Sequence, residues 1–123
     1  MKRILFAAAL CMAAVPAMAA DADGAYFSQR PESCREFRRV LGSDARTPAH
    51  MNVRGWIAGY LTAFNRQTPE TYDVLGISTF EDALRFIEGH CKAHPLDNLT
   101  AAMEALTENL YPRRHQTRGQ AGR

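Results

Sequence analysis

Residues 53–65 read VRGWIAGYLTAFN, with apolar side chains at Val53, Trp56, Ile57, Tyr60, Leu61 and Phe64. Spacings of three and four place all six on one side of a helix, as a stripe roughly 160 degrees wide, and no strand alternation fits them. Arg54, Thr62 and Asn65 take the opposite side. Upstream, Thr47 stands before Pro48 as a cap before a proline at the first helical position, so the helix is expected from Pro48 to about Arg66. Gly55 and Gly59 each cost this helix about 1 kcal/mol in propensity, and are expected to let a neighbouring helix come close. Trp56, Tyr60 and Phe64 are expected to be at least partly the core of a small bundle.

The flanking sequence carries the same helical grammar. In SCREFRRVLG, residues 33–42, Ser33 and Glu36 have capping-box spacing, Cys34, Phe37, Val40 and Leu41 share a face, and Gly42 stands where a helix would stop. After the long helix, QTPETYDVLGIS, residues 67–78, is broken by Pro69 and Gly76 and reads as a crossing loop from which Val74 and Ile77 reach the core. Ser78 and Glu81 predict a second capping box, opening a helix with Phe80, Leu84, Ile87 and Cys91 inside and His94 and Pro95 at its end. Asp97 is the expected cap of a last helix with Leu99, Ala102, Met103, Leu106 and Leu110 inside, which Pro112 stops.

Beyond it, RRHQTRGQAGR has four arginines and no apolar residue larger than alanine, the composition of a disordered tail. The predicted fold is all-α: a small four-helix domain over residues 20–111, stapled by one disulfide, with a disordered basic tail over residues 112–123.

At the other end, Lys2 and Arg3 precede the uncharged run Ile4–Val15 and the small-residue sequence Ala17–Ala19, which together read as a secretory signal peptide over residues 1–19. The run is shorter than the roughly 18 residues of a membrane span, so the expectation is an exported, periplasmic protein with no membrane insertion after cleavage. Leu10 is too bulky to make Cys11 a lipidation site. The leader holds two of the 15 basic residues and none of the 13 acids, leaving a balanced charge that gives nucleic acid little to bind.

Two of the three cysteines then remain, Cys34 and Cys91, and an even pair in an exported chain reads as a disulfide, with a free thiol as the alternative. Closing a loop of that length would contribute about 4 kcal/mol, a large share of the roughly 5–15 kcal/mol that holds a domain together. His90, Cys91 and His94 have the helical spacing of metal ligands, but Cys91 is wanted by Cys34, so solvated histidines are expected, with no metal and no cofactor. No nucleophile elbow, phosphate loop or carboxylate pair is present, which argues against an enzyme.

SCREF at residues 33–37, DVLGIST at 73–79, and Cys91 followed by KAHPLDNL at 92–99 together resemble the HdeA/HdeB family of periplasmic acid-stress chaperones, over most of residues 33–110. The resemblance implies a small all-helical protein with the Cys34–Cys91 disulfide, a homodimer at neutral pH, and loss of native structure in strong acid to bind unfolding periplasmic clients. It places Val74 to Ile77 in the apolar segment ahead of the third helix. The departures are a longer, more aromatic second helix and the arginine-rich tail. On this reading Trp56, Ile57, Tyr60, Leu61 and Phe64, with Val74, Leu75 and Ile77, form the client- or partner-binding surface. A competing class is a periplasmic immunity or inhibitor protein, similar to the Rap/Tai group, that binds one partner while folded at neutral pH.

Overall fold

The computed structural model describes residues 22, 23, 25, 27, 28 and 33–122; the signal peptide expected over residues 1–19 lies outside them. Four helices form in the predicted order: α1 (Cys34–Leu41), α2 (Pro48–Gln67), α3 (Phe80–Ala93) and α4 (Leu99–Leu110). The fold is all-α, and Cys34 is bonded to Cys91, joining the first turn of α1 to the last turn of α3. Both cysteines are fully buried, so the staple runs through the core.

Each helix starts where a side chain accepts one of its unpaired N–H groups. Ser33 accepts from the Glu36 N–H at 3.2 Å. The reciprocal half of that predicted box is absent, because the Glu36 carboxylate pairs with Arg39 one turn on. Thr47 accepts from the His50 N–H at 3.3 Å, with Pro48 in the first turn. Helix α2 stops at Thr68, where the following Pro69 disfavours a helical backbone.

Two predicted caps are each displaced by one residue. Helix α3 is capped by Thr79, not Ser78: the Thr79 hydroxyl accepts from the Asp82 N–H at 3.1 Å, and the Asp82 carboxylate accepts from the Thr79 N–H at 2.8 Å. Glu81, the expected partner, is drawn away by Arg54 of α2. Helix α4 is capped by Asn98, which accepts from the Ala101 N–H at 2.9 Å. Asp97 has other work: its carbonyl accepts from the Cys34 N–H at 2.8 Å, and its carboxylate meets His90 Nε2 at 2.9 Å.

The core collects the predicted inward faces. Phe37, Val53, Ile57, Val74, Ile87, Leu99, Met103 and Leu106 are at most 1 % exposed. Helix α1 packs against each of the other three helices, α4 packs most extensively along α3, and α2 lies closest to α1.

The basic tail is where the structure departs most from expectation. After α4 the chain makes a short 3₁₀ turn, Tyr111–Arg113, and then pairs with the α2–α3 loop. His115 accepts from the N–H groups of Tyr72 (2.8 Å) and Asp73 (3.0 Å) and returns its own N–H to the Asp73 carbonyl (2.9 Å). Arg114 lies 3.8 Å over the Tyr111 ring while its Nε donates to the Glu70 carbonyl and the Thr71 hydroxyl, both at 3.1 Å. Backbone hydrogen bonds and a guanidinium hold this arm, so its lack of apolar residues did not prevent order.

Candidate functional site

The face of α2 divides into two strips. Val53, Ile57 and Leu61 point into the core and are buried. One helical step round, Trp56, Tyr60 and Phe64 are half-buried, packed against the core on one side and open on the other. Recurrence every four residues stacks these rings along one edge, and Trp56 and Tyr60 meet with centroids 5.6 Å apart at a 43° tilt. Burial, and then the charge of Glu104, push the Tyr60 phenol above its ordinary pKa, so it is neutral at any physiological pH.

The loop residues named with this band separate. Val74 is fully buried, and its N–H donates to Asn65 Oδ1 at 2.8 Å, which ties the loop to the C-terminal turn of α2. Leu75 is half-buried, with its N–H on Asp73 Oδ1 at 3.0 Å. Ile77 was expected to reach the core; it is instead 86 % exposed. Ile57, Leu61 and Val74 are therefore core side chains in the folded state, whereas Trp56, Tyr60, Phe64, Leu75 and Ile77 keep part of their surface exposed.

The glycines need a different explanation from the one the sequence offers. Gly55 and Gly59 are exposed, and a methyl group added to either would touch nothing within 4 Å. Among the described residues they admit no neighbouring helix. The glycine that sterics require is Gly76, at φ +59°, where an added methyl would run into the carbonyl of Arg113.

Sequence reasoning missed a clamp on the other flank of α2. Arg54, placed on the solvent side of α2, donates to Glu81 at 2.6 Å and lies 5.0 Å over the Phe80 ring, joining α2 to the first turn of α3. Residues 27 apart in the chain give no local signal for such a pair. The Arg54 guanidinium holds the Glu81 carboxyl below its ordinary pKa. Next to it, hydrogen bonds from the Thr79 backbone and hydroxyl, and then the charge of Arg85, hold down that of Asp82.

Of the residues read as possible metal ligands, Cys91 has its sulfur in the disulfide and His90 is bonded to Asp97, with the His94 ring 4.7 Å away. Among the described residues no three metal-ligating side chains converge, and no helix is long and apolar enough to cross a membrane. No family model, characterised protein or solved structure matches this chain.

Proposed function

We propose that the protein is a periplasmic acid-stress chaperone: a folded homodimer at neutral pH that partially unfolds in acid and binds unfolding periplasmic proteins. The observation that carries this reading is the half-buried band of Trp56, Tyr60 and Phe64, on a helix whose N-terminal half is clamped to α3 by the exposed Arg54–Glu81 pair. Protonating Glu81 removes the charge that holds Arg54, and protonating Asp82 weakens it as the acceptor in the cap of α3. Both changes loosen the hold of α3 on the N-terminal half of α2, and Ile57 and Leu61 beside the aromatic band then add to the apolar surface. The net charge of the chain beyond residue 19 rises meanwhile to about +18, and self-repulsion favours expansion. The disulfide keeps α1 and α3 together, so opening stops short of a random chain.

The experiment is light scattering of an acid-labile client enzyme, with and without the protein, at about pH 2 and at neutral pH. Suppressed aggregation in acid alone is expected. Absence of protection, with unchanged sedimentation of the protein in acid, would overturn the reading. It would favour a periplasmic immunity or inhibitor protein, the reading supported by the accessibility of the same aromatic band in the folded state.

A further inference from the structure

A second feature lies at the other end of α2, where its last turns face the α2–α3 loop across an open cleft of about 540 Å³. That volume lies within the roughly 300–1,000 Å³ of small-ligand sites, but those are lined mostly by hydrophobic side chains, and this one is not. Its lining is Thr62, Asn65 and Arg66 from α2 and Thr71, Tyr72 and Asp73 from the loop. Not one of the six is aliphatic.

The cleft is held firmly and left chemically open. Asn65 Oδ1 accepts from the Val74 N–H and Asp73 Oδ1 accepts from the Leu75 N–H, which fixes both planar side chains by one end. The Asn65 amide nitrogen and Asp73 Oδ2 make no hydrogen bond among the described residues, nor do the Tyr72 hydroxyl and the Arg66 guanidinium. The loop itself is braced from behind. Glu70 sits at φ 51°, a left-handed conformation that a non-glycine residue keeps only when its surroundings impose it, and Arg114 of the C-terminal arm holds its carbonyl. His115 holds the backbones of Tyr72 and Asp73.

We infer that this cleft is a binding site for a saccharide. A simple anion would meet the Asp73 carboxylate, a simple cation would meet the Arg66 guanidinium, and a wholly apolar molecule would leave the polar groups of Asn65, Arg66 and Asp73 without partners. A sugar offers what the lining lacks: closely spaced hydroxyls that donate and accept at once, matching Arg66 and Asn65 as donors and Asp73 as acceptor, and an apolar ring face for Tyr72. A braced loop lowers the ordering cost of binding a weak, polar ligand. The C-terminal arm thereby gains a role as the support of the cleft wall. The site is independent of the aromatic band and of any acid transition.

The test is a titration of the disulfide-bonded protein at neutral pH, followed by amide NMR, with N,N′-diacetylchitobiose and maltose, and in separate arms with inorganic phosphate and sodium acetate. Saturable shifts within residues 62–75 on adding at least one saccharide are expected. Arg66→Ala and Tyr72→Ala should each weaken that binding roughly tenfold, the loss of one good polar or stacking contact. Arg66 is exposed, so its variant keeps the fold, and an unchanged circular dichroism spectrum verifies this. No saturable shift with either saccharide, shifts confined to other surfaces, unchanged affinity in both variants, or phosphate or acetate binding as well as the saccharides would each overturn the assignment.

Discussion

At the scale of single residues, the glycines separate two physical roles that look alike in the sequence. Gly59 lies in the interior of α2 with open space where a methyl group would go, so it weakens the helix without relieving any clash. Gly59→Ala is therefore expected to stabilise the protein by about 1 kcal/mol, read as a higher urea midpoint at unchanged slope. Gly76 is the opposite case: its positive φ and the Arg113 carbonyl behind it leave no room for a side chain. Gly76→Ala should destabilise by more than about 1 kcal/mol and loosen the C-terminal arm, seen as faster amide exchange at Tyr72 and Asp73. A destabilising Gly59→Ala would mean that α2 meets something the folded monomer does not contain. The sequence offered Gly59 as room for a neighbouring helix and Gly76 as a break in a loop, and only the backbone angle and the neighbouring carbonyl show which of them sterics require.

At the scale of elements, the helices were legible because apolar spacing is a local, repeated signal, and the stripes of all four are the residues that line the core. Their first residues were less legible. In the run Ser78–Thr79–Phe80–Glu81–Asp82 two capping boxes overlap, one residue apart, and local sequence cannot choose between them. The choice is made by tertiary structure, since Arg54 removes Glu81 from the competition. Thr79→Ala is accordingly expected to cost about 1 kcal/mol and Ser78→Ala only a few tenths, a difference that thermal melts of the two variants would resolve. Equal losses would place the cap in both registers. The same limit hid the site residues that depend on distance. Arg54 and Glu81, or Asp73 and His115, meet across long stretches of chain, and polar composition alone made residues 112–123 look disordered although much of that segment is held by backbone pairing and by Arg114. Trp56, Tyr60 and Phe64 were found because the signal of a surface band on a helix is the signal of the helix itself.

At the scale of the whole molecule, the proposed acid response would follow from where the depressed carboxyls sit. Hydrogen bonds from Arg39, Arg46 and Arg54 hold Glu36, Asp44 and Glu81 below their ordinary values, and those from Thr79 do so for Asp82. A carboxyl lowered in the folded state adds stability that is present above its unfolded pKa, about 4, and is lost as pH falls through the folded value. These four are exposed, so each contributes little, and their loss matters together with the repulsion among the basic residues. Stability should then be flat near neutrality and decline below about pH 4.5. Glu81→Gln should lower stability at neutral pH, and its difference from the unmutated protein should vanish in acid, where Glu81 is itself uncharged. Trp56 is the only tryptophan and sits on the band in question, so its emission would report the proposed opening directly. A red shift and greater quenching by acrylamide are expected as pH falls, reversed when a client binds. Tyr60→Ser adds the functional arm, lowering neutral stability and acid-state protection together if the band serves both states. Damage at neutral pH alone, or emission that stays shielded at about pH 2 without client, would confine Trp56, Tyr60 and Phe64 to packing and leave the acid-chaperone reading without its binding surface.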